Sequence, residues 1–426
     1  MQQRQYLCID QRSFYATAEC VSRGLDPLEA DLVVADAQRS ENTICLAVSI
    51  HLKKRGVKNR CRLKDIPPNM DIIIAPPRMQ HYIDVAAEIY GVFLKYLAPE
   101  DIYVYSIDEA FLDVTPYLKM YGIPVQELAR RIMEDVHKTV GTLCACGIGT
   151  NLYLAKIALD ILAKHAPDSI GILDEAGFRA RLWDHQPITD FWRISTGTEA
   201  RLRKYGITTQ RQIAQCDEEL LYRLFGIDAE LLIDHAWGRE PTTIRDIKNY
   251  KSKSRSLSSS QVLMRDYKPA EGELIAKEMA DQMCLQMAAQ NLVTDSVSLY
   301  VGYAHSHGPP SAGGTAKFAR HTNLASEIVP AVAALYRRVI NSGCTIRRIG
   351  INCNQILQDT GAMQLNLFED TGRQLRGRAL QEAIVKIQAK YGKNALLKGM
   401  DYHQAATTRE RNGMIGGHRS GVETQK

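Results

Sequence analysis

Short apolar runs of strand character alternate with stretches whose apolar residues recur every three or four positions. Tyr6, Leu7, Cys8 and Ile9 form the first run, and residues 5–10 are predicted as a strand that ends on Asp10. From 12 to about 23 the spacing turns helical and puts Phe14, Ala18 and Val21 on one face. A helix is predicted over about 79–97. Ile102, Tyr103, Val104, Tyr105 and Ile107 form a second β-prone run, and two short strands flank Ser106-Ile107-Asp108-Glu109. A helix over about 124–140 precedes the apolar strand Leu143 to Ile148, and a helix from Leu152 to His165 follows. Strands separated by helices in this order predict an α+β domain, an antiparallel sheet backed by helices.

From about 174 to 240 the pattern changes to short helices joined by tight turns, with FWRISTGTEARLRKYGI and LYRLFGIDAELLIDHAWG as two successive helix-turn-helix units. Hairpins of this kind can aim backbone N–H groups at duplex phosphates, and a plain helical subdomain is the alternative. Residues 241–256 are polar and basic and are predicted as an extended tether, on which Lys251, Lys253 and Arg255 share one face. Beyond it the order is strand, helix (270–290), strand (295–303), strand (316–322), helix (324–341), strand (345–356), a βαββαβ unit. Over 241–360 there are fourteen Lys/Arg against nine Asp/Glu, with Arg347-Arg348 adjacent. Such clustering suits a track of phosphates or a merely solvated face. A last helix is predicted over about 377–391, and the tail from Ala405 reads as too polar for a core and disordered.

At 426 residues the chain exceeds what one hydrophobic core serves, so two to four domains are expected. A net charge of +5 permits a polyanionic partner without demanding one. The ten cysteines include no CxxC pair, and Cys144 and Cys146 point to one face of an apolar strand, as reduced core thiols would. The start MQQRQ leads into a strand with no secretory stretch, and no apolar run is long enough to span a bilayer. A cytoplasmic protein with no membrane partner is the expectation.

Two of the apolar strands end on acids, Asp10 in one case and Asp108-Glu109 in the other. Unpaired carboxylates among apolar neighbours are costly, and several converging would repel unless divalent cations neutralised them. Two such ions about 4 Å apart could activate a hydroxyl and hold a leaving pyrophosphate. The alternative is a solvated hairpin turn. Between Lys53 and Lys64 lie Lys54, Arg55, Lys58, Arg60 and Arg62 with no acid among them, a basic insert closed by Asp65 and the prolines at 67 and 68.

The runs IDQRSFYATAEC, SIDEAFLDVT and GIGTNLYLAKIALD, in this order and spacing, resemble the Y-family translesion DNA polymerases, and most of all their UmuC-like (ImpB/MucB/SamB) branch. The resemblance is dense to about residue 175 and looser beyond. It implies an α+β right-hand polymerase: a ferredoxin-like palm (1–27 and 75–173), small fingers (28–74), a helix-hairpin-helix thumb (174–240), a linker (241–256) and a little finger (257–360), then a C-terminal segment (361–426). It also implies two Mg2+ ions held by Asp10, Asp108, Glu109 and the main-chain carbonyl of Gln11. Tyr15 aligns with the aromatic steric gate that rejects a ribose 2′-hydroxyl; it falls about 100° around the helix from Phe14, which serves the apolar face, and a core tyrosine is the alternative. With these two, Lys53 and Lys164 would bind the nucleotide, whereas Lys156 and Gly197, with Lys251, Lys253, Arg255, Arg347 and Arg348, would contact DNA.

Three departures from the family pattern stand out. In SIHLKKRGVK, Ile50 replaces a tyrosine and Lys53 an arginine, so a hydroxyl is missing and a bidentate fork has become a point charge. Ser195 stands where a hairpin glycine is usual, two residues before Gly197. One residue is inserted between Lys156 and Lys164. Near the C-terminus, Gln364, Leu365, Asn366, Leu367 and Phe368 resemble the bacterial sliding-clamp peptide, the leucine and phenylalanine filling apolar pockets; packing back on its own domain is the alternative. The expected activity is low-fidelity DNA-templated synthesis past damaged bases, with primer-template DNA, dNTPs, the clamp and accessory SOS proteins as partners, near the nucleoid. A weakened, DNA-binding polymerase relative and a palm-type nucleotide cyclase are the rivals.

Overall fold

The structure is a computed structural model that describes residues 4–40, 42–252, 255–304, 311–361 and 371–422. It divides into two units, Met1–Tyr250 and Lys251–Lys426.

The first unit begins β1 (Tyr6–Gln11), α1 (Phe14–Ser22), β2 (Leu32–Val34), β3 (Ala47–Val48), α2 (Ile50–Lys54), β4 (Ile73–Ala75) and α3 (Met79–Phe93). It continues β5 (Ile102–Val104), β6 (Glu109–Asp113), α4 (Thr115–Tyr121), α5 (Val125–Val140), β7 (Cys144–Gly149), α6 (Leu152–Ile157) and β8 (Ile170–Leu173). Its main sheet has the order β5-β6-β1-β7-β8, with only the β7–β8 pair parallel. One face, carrying Leu7, Ile9, Leu112, Cys146 and Ile148, shares a core with Ile89 and Phe93 of α3 and Leu128, Ile132 and Val136 of α5. The other face, carrying Tyr6, Cys8, Phe111 and Ala145, packs on Leu152 and Ala155 of α6. Because both faces are covered, β1 and β7 are apolar without alternation. Gly147 and Gly149 let α6 lie on the sheet, since a Cβ there would come within 2.0 and 2.1 Å of the Ala155 backbone. On α1, Phe14 and Ala18 are buried as the spacing predicts, but Val21 is exposed at the end of the helix.

Residues 28–74 contain a small sheet, β3-β2-β4, over its own core of Val33, Cys45, Val48, Leu52 and Ile66. Five short helices follow β8: α7 (Glu175–Arg181), α8 (Thr196–Arg203), α9 (Gln210–Ala214), α10 (Glu218–Phe225) and α11 (Asp228–Ala236). They close around Phe178, Leu202, Ile213 and Leu221. The expected extended tether is interrupted by α12 (Ile244–Asn249). Thr243 and Asp246 form its capping box, and Ile244 is buried in the cluster of Tyr6 and Phe111, so the polar run still had an apolar residue to bury.

The second unit realises the βαββαβ order as β9 (Leu257–Tyr267), α13 (Pro269–Ala289), β10 (Leu292–Tyr303), β11 (Ser311–Thr322), α14 (Ala325–Val339) and β12 (Ile346–Asn354). The sheet order is β11-β10-β12-β9. Over residues 405–422 the disorder expected of the tail is not found. After α15 (Thr371–Tyr391), residues 408–411 form α16 and a hairpin pairs Met414–Ile415 with His418–Arg419. Polar contacts substitute for a large apolar face here: buried Glu278 of α13 accepts from the backbone N–H groups of Thr407 and Thr408, and Lys398 pairs with buried Asp281. The clamp-like peptide, Gln364 to Phe368, and Lys253 lie outside the described residues. Among the described residues no helix is long and apolar enough to cross a membrane, and all ten cysteines are free.

Candidate active site

Asp10 near the end of β1 and Glu109 at the start of β6 are paired across the antiparallel ladder, so their side chains leave the same face. The hairpin before β6 is tight, with the N–H groups of Tyr105 and Ser106 both donating to the Glu109 carbonyl. Its turn swings Asp108 beside β1, where the Asp108 carbonyl accepts from Gln11 N–H at 2.9 Å and its carboxylate from the Ser106 hydroxyl at 2.5 Å. Burial, then the charges of Asp108 and Glu109, push the Asp10 carboxyl up to about 7 against the pull of Lys164 and Lys156. An apolar groove of about 330 Å³, lined by Ile83, Ala86, Tyr90, Val104 and Ile107 among others, opens beside the hairpin.

Glu109 departs from the expected gathering of three free acids. Its Oε2 accepts from Lys156 Nζ at 2.8 Å and its Oε1 from the Cys8 thiol at 3.2 Å. Lys156 is only 10 % exposed and is also bridged to Asp160 at 3.1 Å. Burial works against its charge, but Asp160, Cys8 and Glu109 outweigh it and raise its pKa. The expectation that Lys156 faces DNA is therefore corrected: the close seating of α6 on β7 turns it inward as a counter-ion. For the same reason no three His, Cys, Asp or Glu side chains among the described residues are already drawn together as a metal cluster. The donors at Asp10, Asp108 and the Gln11 carbonyl are all hard oxygens, and the elevated Asp10 carboxyl is what a like-charged, half-dry pocket produces. That set fits a divalent cation of the oxygen-seeking kind.

Around these acids the chain places two more lysines. Lys164 reaches Asp160 at 2.8 Å and lies close enough to Asp10 to lower its carboxyl. Between Lys156 and Lys164 the helix widens into a π-turn, Ala158–Leu162, and Lys164 beyond it lies near Asp10. Lys53 donates to the Ser13 hydroxyl at 2.8 Å, and burial lowers its pKa while Asp10 opposes the shift. Ile50, in the position of the absent tyrosine, is buried and offers no hydroxyl. Ser13 itself is in the left-handed region at φ 52°, a sharp corner that turns the chain from β1 into α1.

Tyr15 is half-buried, feels the charge of Asp108, and stacks on Tyr82 with ring centroids 4.5 Å apart. Phe14 is 3 % exposed, so its ring belongs to the core, as its place on the apolar face of α1 implies. Gly197 lies in the first turn of α8, whose N-cap Ser195 accepts from Thr198 N–H. In the second unit Lys251, Arg255 and Arg348 are exposed, Arg348 lies over the Tyr300 ring, and Arg347 pairs with Asp266 at 3.4 Å. Sequence reasoning missed Ser106, Cys8 and Asp160. Asp160 had a usable signal, sitting four residues after Lys156 and four before Lys164.

A palm-like sheet with acids at adjoining strand ends, a small basic insert, short helical hairpins and a separate βαββαβ unit define the class: a right-handed DNA polymerase of the Y-family type. Residues 9–160 match the impB/mucB/samB family and residues 254–367 that family's C-terminal domain. A Bacillus subtilis (strain 168) protein named for UV-damage repair, UvrX, is 31 % identical over 416 residues, covering 97 % of both chains. A protein named DNA polymerase IV 2 from the same organism is 27 % identical, covering 98 % of this chain and 99 % of that one. A solved Y-family DNA polymerase chimera, Dbh-Dpo4(243-245)-Dbh, superposes with a TM-score of 0.65 at 21 % identity, covering 83 % of this chain and 99 % of that one. The chain belongs to the impB/mucB/samB family.

Proposed function

We propose that the chain extends a DNA primer with deoxynucleotides opposite damaged template bases, at low fidelity, as part of a damage response. The observation that carries this is the pairing of Asp10 with Glu109 across β1 and β6 and the turn that brings Asp108 beside β1, with Lys53 and Lys164 both near enough to Asp10 to feel its charge. Asp10, Asp108, Glu109 and the Gln11 carbonyl would hold two Mg2+ ions, which when bound supply charge neutralisation and Lewis acidity. Lys53 and Lys164 would pair with the triphosphate, and Lys164 can exchange Asp160 for a phosphate because half of its side chain is exposed. Tyr15 would exclude a 2′-hydroxyl. Residues 1–27 and 75–173 would serve as palm, 28–74 as fingers, 174–240 as thumb and 257–360 as little finger. Fingers as small as β2–β4 and α2 cannot close tightly on a nascent pair, which is why low fidelity is proposed. Lys251, Lys253, Arg255 and Arg348 would follow the DNA backbone. The peptide at Gln364–Phe368 would tether the enzyme to the bacterial sliding clamp, in the cytoplasm at the nucleoid.

Primer extension across an abasic template with Mg2+ tests the reading. Wild type is expected to extend, and Asp108→Asn to lose roughly 1000-fold or more; undiminished extension by the variant would remove the proposed site. A second reading, a DNA-binding protein of weakened activity, is favoured by Ile50, Lys53 and the Glu109–Lys156 pair, and would be supported if wild type bound DNA but failed to extend it. Replacing Leu367 and Phe368 with alanine is expected to abolish binding to the purified clamp ring while distributive synthesis persists; a complex that survives the change would return the peptide to its own domain.

A further inference from the structure

Glu19 is a carboxylate with no exposed surface on α1, four residues after Tyr15. Its Oε1 accepts from Arg78 Nε at 2.9 Å and from the Tyr82 hydroxyl at 2.7 Å, and its Oε2 from Arg78 Nη2 at 2.8 Å. Arg23 also pairs with Oε2, and Arg78 Nη2 donates to Ser22 at 2.5 Å. Arg78 caps α3, and Tyr82 lies four residues further along, fully buried. Two helices are thus joined at a square: Tyr15 and Glu19 on α1 face Tyr82 and Arg78 on α3. One side of the square is a bidentate ion pair with a phenol hydrogen bond. The other is the Tyr15–Tyr82 ring stack, centroids 4.5 Å apart and planes 24° apart.

We propose that the pairing of buried Glu19 with Arg78 sets sugar selectivity by fixing Tyr82 as a rigid backing for Tyr15. The inference rests on the reading of Tyr15 as the steric gate. A buried ion pair is weak as a stabilising device, because an apolar pair of similar volume would hold two helices as well without the desolvation cost. What it supplies is direction, since a fork and a carboxylate meet in one geometry. Direction is what a gate needs. The difference between the two sugars is one oxygen atom, and a ring that retreats by about 1 Å would admit it. Tyr82 cannot retreat while its hydroxyl is held, and Tyr15 cannot retreat past Tyr82. Burial keeps the Tyr82 hydroxyl protonated to about pH 12, so it remains a donor to Glu19. Glu19, Arg78 and Tyr82 are positioning residues: Glu19 and Tyr82 are fully buried, and Arg78 acts on Tyr15 only through them.

The test is the ratio of kcat/KM for a deoxynucleotide to that for the matching ribonucleotide, in the full-length protein. Tyr82→Phe keeps the ring and removes the hydroxyl; Glu19→Gln keeps shape and removes charge; Arg78→Lys keeps charge and removes the fork. Each is expected to lower the ratio by about 10-fold, and Tyr15→Ala by more. Adding Glu19→Gln to Tyr15→Ala should change the ratio no further. If Tyr82→Phe and Glu19→Gln slow both nucleotides equally and leave the ratio intact while Tyr15→Ala collapses it, the square is only structural and the inference is overturned. An unchanged ratio in Tyr15→Ala would instead sink the gate reading itself. Tyr82→Phe leaves the ion pair whole, so it answers the question even if Glu19→Gln does not fold.

Discussion

Burial beside Asp108 and Glu109 holds the Asp10 carboxyl up at about 7 in the fold, although an unperturbed aspartate loses its proton near 3.8. Between those values the folded state binds more protons than the unfolded state, so stability falls as pH rises. Asp10 is therefore least costly below about pH 4 and most costly above about pH 7 while no cation is bound. In EDTA at pH 8, Asp10→Asn is expected to be more stable than wild type by about 2 kcal/mol, and Mg2+ should raise the melting temperature of wild type alone. Thermal melts from pH 4 to 8 decide it; coincident curves at pH 8 would refute the account. The acids themselves were legible, because apolar runs of Tyr6 to Ile9 and Ile102 to Ile107 do not end on carboxylates for packing. Lys156 was not legible as an inward residue. A lysine on a helix reads as exposed, and only the glycine-permitted seating of α6 on β7 reveals where it points.

Among the elements, the π-turn at Ala158–Leu162 carries the most specific consequence. It widens the helix by one residue per turn, and the lysine beyond it lies near Asp10. Deleting Ile161 is expected to restore a regular helix, rotate Lys164 by about 100° and raise the dNTP KM about 10-fold, with DNA affinity unchanged. Steady-state extension with a binding titration would show it, and an unaltered KM would mean that Lys164 is not a nucleotide ligand. The runs from Tyr6 to Ile9, Ile102 to Ile107 and Leu143 to Ile148 made their strands foreseeable, but the short strands β2, β3, β4 and β8 were not read from the sequence. Two small elements were hidden by composition but not by chemistry. Thr243 and Asp246 spell the capping box of α12 inside a basic stretch. Gly416 and Gly417, at φ 58° and 82°, make the turn of the last hairpin inside a polar tail. Charge concealed both, because mean polarity says nothing about a cap or a turn.

The chain as one object is held together late. Residues 371–422 contribute partners that the βαββαβ core cannot supply itself: Lys398 for Asp281, backbone donors for Glu278, and Gln381, which bridges Asn323 and Ala325. Ending the chain after Gly361 leaves those buried acids uncompensated and is expected to cost several kcal/mol in the second unit. A melting transition for that unit unchanged by the truncation would show the segment to be dispensable. Gln261, in the opening strand of the unit, meets Thr407, 146 positions downstream. Synthesis must therefore run on from Gln261 past Thr407 before that unit can close, and contacts so distant along the chain form slowly. Until then a nascent second unit carries Glu278 and Asp281 without their partners, and a chain broken off before that point is left open to proteolysis.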